Sequence, residues 1–260
     1  MSSTTYSLIR VLAALAVVAC VRPAAAVEPT HLEPAESVNS GEIALEQTVE
    51  WEHHDSDEGV AETEISYGLT PKLKLGLTVP AEFEDGEGVE LGNVGIFAEG
   101  VANPDADRAP LIGGELKIHL PTGDDADGVG VEGQIRISKY FGADGKHGLH
   151  LNLLGYYDAV ESEDEHFLHD EDDSEDEFSY GAVLGYTCQV TEKTGLVFNV
   201  VHIEYTDSDA DETLAEVGVK HDFTDSISGA LGVGFGLDDD SPDVTAKAGI
   251  EFRFGHGKHT

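Results

Sequence analysis

From Gly41 onward, apolar and polar residues alternate with a period of two in segments of about ten residues. This is the pattern of strands with one apolar and one polar face. Twelve such segments are predicted, at 41–54, 61–69, 72–83, 91–102, 110–121, 129–141, 148–158, 178–190, 195–206, 213–223, 226–237 and 243–254. In 226–237 one face reads Ile227, Gly229, Leu231, Val233, Phe235, Leu237, and the other Ser228, Ala230, Gly232, Gly234, Gly236. In 243–254 the apolar face is Val244, Ala246, Ala248, Ile250, Phe252, Phe254, opposite Thr245, Lys247, Gly249, Glu251, Arg253. Strands of this length are long for a soluble sandwich. They suit a bilayer crossing at about 45°, for which about 9–11 residues suffice.

The connections come in two alternating kinds. Thr70-Pro71, Asn103–Ala109, Gly142–His147, Thr191–Thr194 and Thr224-Asp225 are short or basic, whereas Asp55–Val60, Glu84–Glu90, Thr122–Gly128, Ala159–Glu177, Asp207–Glu212 and Asp238–Pro242 are acidic. An even number of antiparallel strands, with short turns at one end and longer loops at the other, is the pattern of an outer-membrane barrel. The expectation is an all-β chain: a single antiparallel up-and-down transmembrane β-barrel of twelve strands at 41–254, in the bacterial outer membrane. Residues 27–40 are then an N-terminal periplasmic segment and 255–260 a C-terminal tail.

The first 26 residues have a different character. Arg10 precedes the apolar run Val11–Val21, and Ala24-Ala25-Ala26 follows. This is the three-part form of a secretory leader cut after Ala26, and the run is too short to span a bilayer as a helix. Val17-Val18-Ala19-Cys20 also has the form of a lipoprotein cleavage box, which would leave a lipidated Cys20. After cleavage at Ala26, Cys188 is the remaining cysteine and has no partner for an intrachain disulfide.

Charge sharpens this picture. The chain holds 52 Asp+Glu against 14 Lys+Arg, a formal charge of -38. Such an excess excludes nucleic acid as the main partner, because phosphate binding requires a basic face. Disorder is excluded as well, since 10 Phe, 8 Tyr and 1 Trp recur through the alternating segments. Nine of the basic residues after Ala26 (Lys72, Lys74, Arg108, Lys139, Lys146, Lys193, Lys220, Arg253 and Lys258) fall in or near the periplasmic end. The other three, Lys117, Arg136 and Lys247, fall mid-strand on the polar face, and none lies in an acidic loop.

Several stretches, Ile65–Pro80, Leu91–Gly100, Leu116–Gly123, Ile137–Gly142 and Leu149–Tyr156, resemble the outer-membrane transporters named for the MetA pathway of phenol degradation. The resemblance implies a barrel that passes small molecules, often aromatic or hydrophobic. The acidic outer loops and the long loop at 159–177 depart from that family's pattern. Lys247-Ala-Gly249-Ile-Glu-Phe252-Arg-Phe254 is similar to the terminal signal read by barrel-assembly machinery, except that Gly255–Thr260 follows it.

Candidate chemistry sits on the polar, lumen-facing parity. It includes Lys117, Arg136 and Lys247 as scarce cations, with Glu115, Glu132, Glu251, His119 and Tyr156. Two readings stand: a polar solute path tuned by lumen charge, or side chains that pair across the lumen and fill it. The loop Glu161–Glu177 carries eleven acids in seventeen residues, with His166 and His169, and His53-His54 precedes Asp57. These histidines suit a divalent metal, but no spacing supplies a fixed set of four ligands. No cofactor is expected beyond loosely bound divalent cations at the acidic rim, where they would bridge lipopolysaccharide. A hydrolase is the rival class, although no G-x-S-x-G motif places a nucleophile. The function expected is passive uptake of a small-molecule solute through an acidic, cation-attracting extracellular mouth. The alternative is a non-conducting structural or surface barrel.

Overall fold

The computed structural model describes residues 27–54, 56–84, 88–104, 109–123, 128–142, 145–160, 177–206 and 211–255. The leader with Ala26, the histidines His166 and His169, Arg108 and most of the C-terminal tail lie outside the described residues.

Thirteen strands form one antiparallel sheet: β1 Ile43–His53, β2 Asp57–Thr70, β3 Leu73–Glu84, β4 Val89–Leu91, β5 Val94–Val101, β6 Leu111–Leu120, β7 Gly128–Phe141, β8 His147–Val160, β9 Glu177–Thr191, β10 Thr194–Tyr205, β11 Asp211–Thr224, β12 Ile227–Gly236 and β13 Val244–Phe254. Each strand pairs with its sequence neighbours except at β4 and β5, which both pair with β3 and not with each other, and β1 pairs with β13 from Ile43↔Phe254 to His53↔Val244. That seam closes a barrel of twelve staves, with β4 and β5 sharing one stave along β3.

The expected strand 91–102 is instead divided into β4 and β5. Pro80, opposite the break, has no N–H to donate, and Gly92 N–H donates to the Pro80 carbonyl at 3.2 Å. Asn93 Oδ1 then accepts the N–H groups of Thr122 and Gly123, which diverts the chain from the ladder. The acidic turn expected at 55–60 is also shorter. The ladder there continues outward to His53↔Asp57, because Glu58 and Val60 keep the inward parity.

The outer face is apolar. Leu184, Leu231 and Ile135 are exposed at 64%, 61% and 53%, which is the expected price of facing lipid rather than water. Aromatic residues collect at both ends of this belt. Tyr67, Phe141, Phe223 and Phe254 lie toward the short turns, while Tyr157, Phe178, Tyr180 and Phe235 lie toward the long loops. Two such girdles mark the membrane interfaces. The chain is a bacterial outer-membrane β-barrel.

Residues 27–40, expected on the periplasmic side, enter the barrel before β1 begins. Val27, Leu32 and Ala35 are buried at 1%, 0% and 1% exposure, because their apolar side chains find cover in the lumen. Gly41, with φ +82°, swings the chain from the lumen into the wall; other residues are strained in that region.

Candidate functional site

The wall has been cut to receive this internal segment. A β-carbon at Gly232 would collide with the Pro29 carbonyl, one at Gly218 with the Pro29 ring, and one at Gly185 with the Leu32 side chain. Leu32 packs on Val183, Val197, Val201 and Leu214, all buried on the lumen side, with Leu154 and Ile203 against them. This apolar inner wall explains a local failure of alternation in the sequence. Apart from Asn199, Leu196-Val-Phe-Asn-Val-Val201 is apolar on both parities because one face meets lipid and the other meets Leu32.

Polar contacts fix the rest of the segment. The His31 N–H donates to Glu216 Oε2 at 3.1 Å, and His31 Nδ1 lies 2.9 Å from Glu216 Oε1. Asn199 Nδ2 donates to the same carboxylate. Glu28 pairs with Lys220 and Glu33 with Arg136. Asn152 Nδ2 donates to the Glu33 carbonyl at 2.6 Å, and the Ala35 N–H donates to Ser138 Oγ at 2.8 Å. Replacing Gly232 by Val should therefore expel Pro29 while leaving the barrel closed. Hydrogen exchange across 28–36 should rise several-fold with strand protection unchanged; equal protection in both proteins would contradict this seating.

The lumen cations form a connected network. Arg136, 6% exposed at its side chain, meets Glu33, Glu99 Oε1 at 3.4 Å and Glu115 Oε2 at 3.1 Å. Lys74 bridges Glu99 at 2.7 Å and Glu64 at 3.5 Å. Lys117 lies 3.8 Å from Glu115 and 3.6 Å from Glu132, which also meets His119 Nε2 at 3.3 Å. Tyr156 packs edge-on against His119 and donates to Asp158 at 2.9 Å. Lys247 pairs with Glu50 at 3.5 Å, while Glu251 is bound by Arg253 and Ser228. Lys117, Arg136 and Lys247 are thus all ion-paired, and Arg136 also ties the internal segment to the wall.

Two cavities flank the segment. At the long-loop end, about 660 Å³ is lined by Glu50, Glu52, Glu58, Glu82, Glu84, Glu90 and Glu212, with Phe83, Tyr205 and His31. Register stacks these carboxylates without intervening cations, as Glu52↔Glu58↔Glu84 and Glu82↔Glu90. At the short-turn end, about 270 Å³ is lined by Pro34, Glu36, Tyr140, Lys146, Lys193, Lys220 and His221. The lumen therefore runs from an acidic chamber to one richer in lysine, with residues 27–37 between them.

Metal and catalytic candidates meet a different outcome. His53 Nδ1 pairs with Asp57 at 2.7 Å, and among the described residues no group of three His, Cys, Asp or Glu side chains is placed to hold a metal. His150 Nδ1 lies 2.8 Å from Ser138 Oγ, and its Nε2 lies 2.9 Å from Thr187 Oγ1. Ser138 is 1% exposed and accepts the Ala35 N–H, so this Ser–His pair anchors the segment and presents no open nucleophile.

The reading of the sequence missed Glu28, His31, Glu33, Glu216, Lys220 and Ser138. The available signal was the glycine run on the inward parity of β12, Gly232-Val-Gly234-Phe-Gly236, which marks a close backbone approach.

No family model and no curated protein sequence matches the chain. Among solved structures, the COG4313 outer membrane channel from Pseudomonas putida F1 is similar at 18% identity and a TM-score of 0.66, covering 86% of this chain and 100% of that one. The KdgM porin is similar at 11% identity and a TM-score of 0.56, covering 81% and 99%. The NanC porin is similar at 8% identity and a TM-score of 0.54, covering 81% and 98%. At these identities the likeness is one of fold: this chain has the architecture of outer-membrane channels and porins.

Proposed function

We propose that the protein is a channel for passive uptake of small molecules across the outer membrane, with a cation-attracting extracellular mouth. The carrying observation is the chamber of about 660 Å³ lined by seven glutamates at the long-loop end, the extracellular end in barrels of this type. Like-signed charge in a cleft with low-dielectric walls focuses the field and concentrates counter-ions. The sequence resemblance to the phenol-degradation transporters adds aromatic or hydrophobic solutes as the class to test first, and Phe83 and Tyr205 give the chamber aromatic wall for them. The acidic loops are proposed to hold divalent cations against lipopolysaccharide, and the end of β13 to be read by assembly machinery.

In planar bilayers under a salt gradient the protein should be cation-selective. The selectivity should fall between 0.1 M and 1 M salt, as the screening length drops from about 10 Å to about 3 Å. Anion selectivity, or no conductance from folded protein, would remove the transport reading. The second reading, a non-conducting surface barrel, draws support from the segment seated in the lumen, and the two part company when that segment is deleted.

A further inference from the structure

We propose that Glu216 and Asn199, with Glu50 on β1, form a seat for a small planar organic cation of the guanidinium class, and that His31 of the internal segment is its resident occupant. Access depends on the uptake reading above, and the seat narrows the solute to one chemical class. Glu216 Oε1 lies 2.9 Å from His31 Nδ1, Oε2 accepts the His31 N–H at 3.1 Å, and Glu50 Oε1 faces Nε2 at 3.6 Å. With a carboxylate at each ring nitrogen, both nitrogens carry hydrogen and the ring is a cation. Lys247 pairs with Glu50 at 3.5 Å. Glu216, 4% exposed at its side chain, has no cation other than His31 at contact distance among the described residues. Asn199 is buried and donates through Nδ2 to Glu216, yet its Oδ1 has no hydrogen-bond partner among the described residues.

A buried acceptor left in this way is costly, and the N–H groups of His31 do not satisfy it. A guanidinium carries N–H donors on all three nitrogens. It can meet Glu216 in bidentate fashion and turn a further donor toward Asn199 Oδ1. The other ion pairs of the segment have the opposite sense: Glu28 on Lys220 and Glu33 on Arg136 set segment acids on wall cations. An entering cation does not compete for those. His31 sets a segment cation on a wall acid, and it lines the acidic chamber, where the field of the glutamates concentrates cations. Phe83 and Tyr205 of the same chamber offer aromatic faces to a planar cation on its way. A cation that binds the vacated seat better than the occupied one shifts the segment toward release.

The probes are guanidinium chloride and tetramethylammonium chloride at equal, non-denaturing concentration; both are cations, and only the first has N–H donors. In the unsubstituted protein, hydrogen exchange across 28–36 should be several-fold faster in guanidinium than in tetramethylammonium, with strand protection the same in both. Next, His31→Ala barrels, shown to be folded by heat-modifiable gel migration, are titrated calorimetrically. Guanidinium should bind them roughly tenfold more tightly than tetramethylammonium, the worth of one hydrogen bond to a charged group. That preference should vanish when Glu216→Gln is added. Equal exchange across 28–36 in the two salts would overturn the proposal, as would a guanidinium preference that survives Glu216→Gln. Cation-selective conductance without any such preference would leave uptake standing and remove the seat. The stated preference in a barrel that does not conduct would keep the seat and remove uptake.

Discussion

A chain lacking residues 27–37 should show several times the unit conductance of the full mature protein, with the barrel intact. The segment passes the inner wall from Gly249 on β13 to Gly113 on β6 and fills the lumen with Leu32, Pro29 and the side chains that bind them. A barrel of about eight strands is filled by its own side chains, and one of about sixteen holds an aqueous channel. Twelve staves leave room that this segment occupies. None of the strand pairings involves residues 27–37, so closure does not depend on them. Deletion also frees Glu216 from His31 and Arg136 from Glu33, adding polar groups to the path. Single-channel recording gives the result directly. An unchanged unit conductance in folded protein would mean that the wall side chains close the lumen by themselves, which favours the surface-barrel reading.

Replacing Arg136 by Met should be the most damaging single substitution in the lumen. The guanidinium meets three carboxylates, Glu33, Glu99 and Glu115, and its own side chain is 6% exposed. Removing one partner of a buried ion pair costs about 3–5 kcal/mol, because the remaining charge keeps its desolvation penalty without its attraction. Glu99 retains Lys74 and Glu115 retains Lys117, which moderates the loss at those two. Glu33 retains no other ion pair within contact distance among the described residues, so the internal segment should loosen together with the wall. The urea midpoint for unfolding from lipid vesicles should fall at pH 7. The gap to the unsubstituted protein should narrow near pH 4, where free glutamates protonate at about 4.3. Adding Glu115→Gln to the variant should recover part of the loss, since one stranded charge is gone. Equal midpoints for Arg136→Met and the unsubstituted protein at pH 7 would show that the network carries no net stability.

The same residues show how far the sequence could be read. Lys117 with Glu132 is visible from hairpin register, because β6 and β7 are consecutive and place the two directly opposite. Lys247 is different. Its nearest acids along the chain, Asp243 and Glu251, are each four residues away, which in a strand is about 13 Å at about 3.3 Å per residue, too far for an ion pair. Its actual partner, Glu50, is directly opposite only because β1 meets β13 at the closing seam, and that pairing joins opposite ends of the chain. Ser138 and His150 look like chemistry in isolation. The structure covers them with Ala35, a contact spanning 103 residues.

Alternation by itself determined the strands, their parity and the lipid-facing belt, because a period-two pattern is local and each residue carries its own preference for lipid or water. It placed the strands within a few residues of their observed ends, apart from the break around Gly92-Asn93 and the early start of β2. The occupant of the lumen was decided only by tertiary structure. Residues 27–37 have no period to read, and their burial depends on glycines at positions 113, 185, 218, 232 and 249, brought together by closure of the barrel. A cavity and its plug are properties of the closed ring, and no segment of the chain contains them until the ring has formed.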